Sequence, residues 1–75
     1  MRNRLRAERL GQGVTIADLA RRSDVSRQTI YSIENDLSYT PLGAVMGRLA
    51  RALGVEIGDL FINEPAEADR VEAAS

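Results

Sequence analysis

Seventy-five residues with no Cys, no His and no Trp allow one domain around one small core. They exclude disulfide staples and thiolate chemistry, and they remove the usual transition-metal ligands and the usual general base near neutral pH. The net charge of −1 averages two unlike parts: residues 1–55 carry +4, residues 56–75 carry −5, and every cation is Arg.

β-Branched and aromatic residues are too sparse for a β-sandwich, so the expectation is a compact all-α domain. No apolar run approaches a membrane span and no signal peptide opens the chain, which points to a soluble cytoplasmic protein with no membrane partner. In chain order, Arg2 to about Leu10 reads as a first helix, broken by Gly11-Gln12-Gly13. Thr15 is a natural N-cap with Asp18 three residues on. A second helix follows to about Ser23, with Ile16, Leu19 and Ala20 inward. Asp24-Val25 makes a tight turn, and Ser26 caps a third helix to about Asn35. After a loop, Thr40-Pro41 reads as the start of a fourth helix. Its stripe is Leu42, Val45, Met46, Leu49, Ala50 and Leu53, and Gly54 is its C-cap. A fifth short helix spans about Glu56 to Ile62. Residues 1–63 form the domain; residues 64–75, EPAEADRVEAAS, are acidic and poor in apolar bulk, and are expected to be disordered.

The spacing from Ile16 to Asn35 is that of two helices crossing at a tight turn. Small Ala20 permits a close crossing, and Ile30 and Ile33 plug the angle between the helices. Such a pair presents its second helix as a ridge that fits the DNA major groove. The residues at the start of that ridge are Arg27 and Gln28, the types whose forks match guanine and adenine respectively. Thr29 and Ser32 are short enough to permit close approach to bases. Ser26 caps the helix and can offer its hydroxyl to phosphate. Arg21 and Arg22 are expected near the same face. Tyr31 has two readings, a contact to DNA backbone or a thymine methyl, or a partly buried packing residue.

VTIADLARRSDVSRQTIYSIEND, followed by P…LARALGV…DLF, is similar to the Cro/C1-type, or XRE, helix-turn-helix proteins. The resemblance covers roughly residues 3–62. It implies a lambda-repressor-like five-helix domain from a bacterial or phage cytoplasm. It also implies a homodimer that binds operator DNA with the third helix in the major groove. A palindromic operator and a repressor or autoregulator role are expected with it, and, with no His or Cys in the chain, no cofactor or metal. By position it implies base contacts from Arg27, Gln28 and Ser32. Phosphate contacts would come from Asn35 and the start of the second helix, where Thr15 stands. Tyr39 and Thr40, in a loop without Lys or Arg, could donate to phosphate. Several positions differ from the family pattern. Ile16 stands where Gln is common and Asp36 where Gly is common. Asp24 stands at a turn position usually held by Gly because its backbone is left-handed, a cost of roughly 1 kcal/mol for Asp. Glu8 falls where an apolar residue is expected.

Ile57, Phe61 and Ile62 exceed what one small core needs and are candidates for a dimer seam, where one patch serves both subunits. Gly43 and Gly47 interrupt the fourth helix; they read either as tolerated drift or as sites of close backbone approach. The acidic segment reads as a solubility tag, a screen of the basic face, or a handle for a protein partner. Two rivals keep the fold: an antitoxin or cassette control protein that adds a protein partner, and a helical interaction module that ignores DNA. An enzyme is the weakest reading, since no reaction centre converges.

Overall fold

The computed structural model describes residues 2–61; the acidic segment and Ile62 lie outside the described residues. The chain forms five helices: α1 (Leu5–Gly11), α2 (Ile16–Ser23), α3 (Arg27–Asn35), α4 (Gly43–Leu53) and α5 (Ile57–Leu60). Thr15 and Ser26 begin α2 and α3 as their side chains dictate. Each is extended, and each hydroxyl accepts the amide three residues on, from Asp18 at 3.0 Å and Thr29 at 3.1 Å. The turn between them is left-handed at Asp24 (φ 60°), the shape expected of that position. Ser23 rigidifies it from below: its buried hydroxyl donates to the Leu19 carbonyl and accepts the Val25 amide. Gly54 (φ 70°) closes α4, and the Asp59 carboxylate, accepting the Glu56 amide at 3.0 Å, braces the start of α5.

Leu5, Leu19, Ile30, Ile33, Leu49 and Leu60 are essentially sealed, one or two from each helix. Burying each such side chain contributes roughly 1.5–3 kcal/mol. Val14, Val25, Ala50, Leu53 and Phe61 complete the core. α2 packs against both α3 and α4, so the helix pair Ile16–Asn35 is held as a unit on the rest of the bundle.

Three boundaries differ from the sequence expectation. The first helix starts at Leu5 rather than Arg2, because Asn3 is engaged elsewhere. It forms an antiparallel bridge with Phe61, its side-chain Nδ2 donates to the Ile33 carbonyl, and its side-chain Oδ1 accepts the Leu5 amide. The Arg4 amide adds a bond to the Leu60 carbonyl, so the start of the chain clasps the end of α5. That clasp also draws Phe61 out of the fifth helix. The fourth helix begins at Gly43, not at Thr40-Pro41. Pro41 turns into the interior, Leu42 stays extended as the N-cap, and the Leu42 side chain is 76% exposed instead of joining the stripe. In α1 the inward positions are Leu5 and Arg9, so half-buried Glu8 needs no apolar replacement and accepts a bond from Gln12.

Among the described residues the two α4 glycines have no neighbour that requires them. A Cβ on Gly43 meets nothing within 4 Å, and one on Gly47 meets only Ile57 Cδ1 at 3.8 Å, an ordinary contact.

Candidate nucleic-acid interface

α3 divides cleanly. Ile30 and Ile33 face inward, while Arg27, Gln28, Tyr31 and Asn35 are exposed and Ser32 is half-buried beside them. At about 100° per residue these five positions occupy one arc of roughly 140°. The predicted base readers Arg27, Gln28 and Ser32 therefore share a face, and Tyr31, at 60% exposure, lies on that face rather than in packing. Thr29 is set differently. It is half-buried, its amide is capped by Ser26, and its hydroxyl accepts the Ser26 hydroxyl at 2.8 Å. The side-chain proton of Ser26 is thus already donated within the protein.

The phosphate candidates surround this arc. Thr15 is exposed at the start of α2. Asn35 is exposed at the end of α3, its side-chain amide donating to the Tyr31 carbonyl. Beyond it Thr40 is exposed, whereas Tyr39 is half-buried against the core. Asp36 orders that loop by accepting from both the amide and the hydroxyl of Ser38, which lower its pKa. Ile16 packs partly against the core.

Arg21 and Arg22, adjacent in sequence, go to different sides of α2. Arg21 lines an open cleft between α2 and α3 together with Ala17, Ala20, Asp24, Val25, Ser26 and Arg27. Its guanidinium pairs with Asp18 at 2.8 Å, and this bond, with one from Thr15, holds the Asp18 carboxyl below the usual carboxylate range. Arg22 instead joins Arg48 and Arg51 in a separate cleft on the α4 side. It does not stand beside Arg27, as the sequence suggests.

The main feature missed in the sequence is what steadies α3. Arg9, on α1, is 7% exposed, and its guanidinium forks onto Glu34 of α3, Nε to Oε2 at 2.8 Å and Nη2 to Oε1 at 3.0 Å. Nη1 donates to the Val14 carbonyl at 2.9 Å, so α1, α3 and the loop before α2 meet at one cation. The hydrogen bond to Glu34 raises the Arg9 pKa against the opposing effect of burial. The available signal was Glu34 itself, four residues from inward Ile30 and adjacent to inward Ile33. An acid at the edge of an apolar face requires a partner. With the Asn3–Ile33 bond, this fork fixes the C-terminal half of α3 while Ser26 fixes its beginning.

Of the dimer-seam candidates, Ile57 is 45% exposed and available, whereas Phe61 is only 6% exposed in the protomer's own core. Ile62 lies outside the described residues. No helix among the described residues is long and apolar enough to cross a membrane.

A capped helix with a polar outer arc, set across a second helix by a three-residue turn, defines a helix-turn-helix protein. A helix-turn-helix family profile matches residues 5–60. The chain is 40% identical to an uncharacterised HTH-type transcriptional regulator of Methanocaldococcus jannaschii, over 89% of this chain and all of that protein. It is 44% identical to one of Methanothermobacter thermautotrophicus, over 83% of this chain and 90% of that protein, and 36% identical to one of Archaeoglobus fulgidus, over 89% and 94%. The chain belongs to the Cro/C1-type helix-turn-helix family. These relatives are archaeal and lend no support to the bacterial or phage origin expected from the sequence.

Proposed function

We propose that this protein is a sequence-specific double-stranded DNA-binding transcriptional regulator, acting as a homodimer on a palindromic operator to repress or autoregulate. The observation that carries the reading is the outer arc of α3. Arg27 and Gln28 stand exposed in its first turn, on a helix whose orientation is held by the buried Arg9–Glu34 fork. Regulators of the same length class in three archaea support it.

The mechanism has two parts. Arg21, Thr15, Asn35 and Thr40, with the N-termini of α2 and α3, hold phosphates and set the register without reading sequence. Arg27 and Gln28 then select bases, assisted by Ser32 and by Tyr31 against the backbone or a thymine methyl. Thr29 contributes by holding the cap more than by reading a base. Ile57 is the seam residue for a second subunit, which doubles the number of base contacts. Selection of bound sequences from random duplexes, beside sedimentation of the free and bound protein, tests this. The expected result is a palindrome with half-site centres about 34–36 Å apart and two chains per duplex. Salt-independent binding, or no enriched sequence, overturns it.

A further inference from the structure

Arg22, Arg48 and Arg51 converge on one cleft between α2 and α4, with Ser23 and Ala52 between them. All three are exposed. Among the described residues none of their guanidiniums makes an ion pair or hydrogen bond, in contrast to Arg9 and Arg21. Arg22 and Arg51 lie in the last turns of their helices, where the free carbonyls favour a cation, but Arg48 does not. Three like charges in one cleft repel, and an anionic occupant offsets that repulsion.

We propose that this cleft is a carboxylate-binding surface whose occupant is the chain's own acidic segment, residues 64–75. The segment holds Glu64, Glu67, Asp69 and Glu72 against a single Arg70, and guanidinium forks match carboxylates. Reach is not limiting. The eleven residues from Ile62 to Glu72 extend to about 36–40 Å, beyond the roughly 27 Å diameter of a sixty-residue domain. A tether this short supplies an effective concentration on the order of millimolar, so weak ion pairs suffice. The cleft lies about 100° round α2 from Arg21, which faces the α3 side, so a duplex seated on Arg27 and Gln28 does not claim it. Docked there, the segment withholds three arginines from non-specific phosphate contact and leaves the reading arc open.

The chain has no Cys, so Ala74→Cys carries a single nitroxide on the full-length protein. At low salt, about 20 mM, the label is expected to reduce amide signals of Arg22, Arg48, Arg51 and Ala52 by at least about half, with recovery near 0.5 M salt. The same recovery is expected in a chain with Glu64→Gln, Glu67→Gln, Asp69→Asn and Glu72→Gln, and in Arg48→Gln with Arg51→Gln. Any of four results overturns the inference: no selective loss; loss centred on Arg27 and Gln28; loss that survives neutralisation; or loss transferred from labelled to unlabelled molecules in a mixture. The experiment contains no DNA, so it stands or fails apart from the proposed function.

Discussion

Removing Glu34 strands the Arg9 guanidinium. In Glu34→Ala, Arg9 keeps its bond to the Val14 carbonyl but loses both carboxylate oxygens, at a site where the two side chains are 9% and 2% exposed. Breaking a buried pair on one side costs about 3–5 kcal/mol. Arg9 lies near enough to the surface for water to reach the vacated space, which places the cost near 3 kcal/mol. A sixty-residue domain has about 3–9 kcal/mol in total, so the variant sits close to the margin of folding. At about 4–8 °C per kcal/mol, the melting midpoint should fall by roughly 12–24 °C. Far-UV circular dichroism with heating, repeated in urea, reads this directly. Arg9→Met combined with Glu34→Leu removes both charges and should recover to within about 1 kcal/mol of the parent, giving a large coupling in the double-mutant cycle. A midpoint shift under about 4 °C in Glu34→Ala, or a double variant no better than the single, would refute the assignment of this fork as the brace of α3.

Other consequences are smaller but equally direct. Gly47→Ala should stabilise by about 0.5–1 kcal/mol, since its Cβ meets only Ile57 at ordinary distance in a helix interior, and the same melts detect it. Ser26→Ala should cost about 1 kcal/mol by releasing the Thr29 amide and hydroxyl, and should weaken binding to all duplexes by loosening the start of α3. Asp18 and Asp36 have carboxyl pKa values lowered in the folded state, so their stabilisation is complete above the unfolded value near 3.8 and is lost as pH falls through their folded values. With no His in the chain, melting midpoints should be level from about pH 6 to 8 and decline below about pH 4. A step near neutral pH would contradict this.

The parts of this fold legible in the sequence are those decided within one turn of chain. Thr15 and Ser26 meet their own downstream amides, Asp24 and Gly54 take left-handed shapes, and Ile30 and Ile33 face one way by helical period. The parts that were not legible depend on partners far along the chain. Arg9 looks like one more basic residue until Glu34 arrives 25 residues later. Arg2 to Arg4 look helical until Asn3 meets Phe61 and Ile33, and Phe61 looks spare until the same clasp buries it. Arg22 and Arg21 look equivalent because sequence adjacency hides the 100° between them. Thr40-Pro41 carries a valid local start signal, yet Pro41 is consumed by burial and the helix begins two residues later. The reading arc itself was legible because exposure and helical period are both local, whereas its support was tertiary.

The decisive measurement is the affinity of the parent and of Gln28→Ala for the selected operator and for a random duplex, titrated at one fixed salt concentration. Gln28 is exposed and its side chain makes no hydrogen bond among the described residues, so its removal leaves the domain intact. A lost bidentate base contact is worth about 1–3 kcal/mol, so operator affinity should fall by roughly 5- to 150-fold while random-duplex affinity stays within about twofold. Equal loss on both duplexes, or loss on neither, would contradict a recognition role for the outer arc of α3.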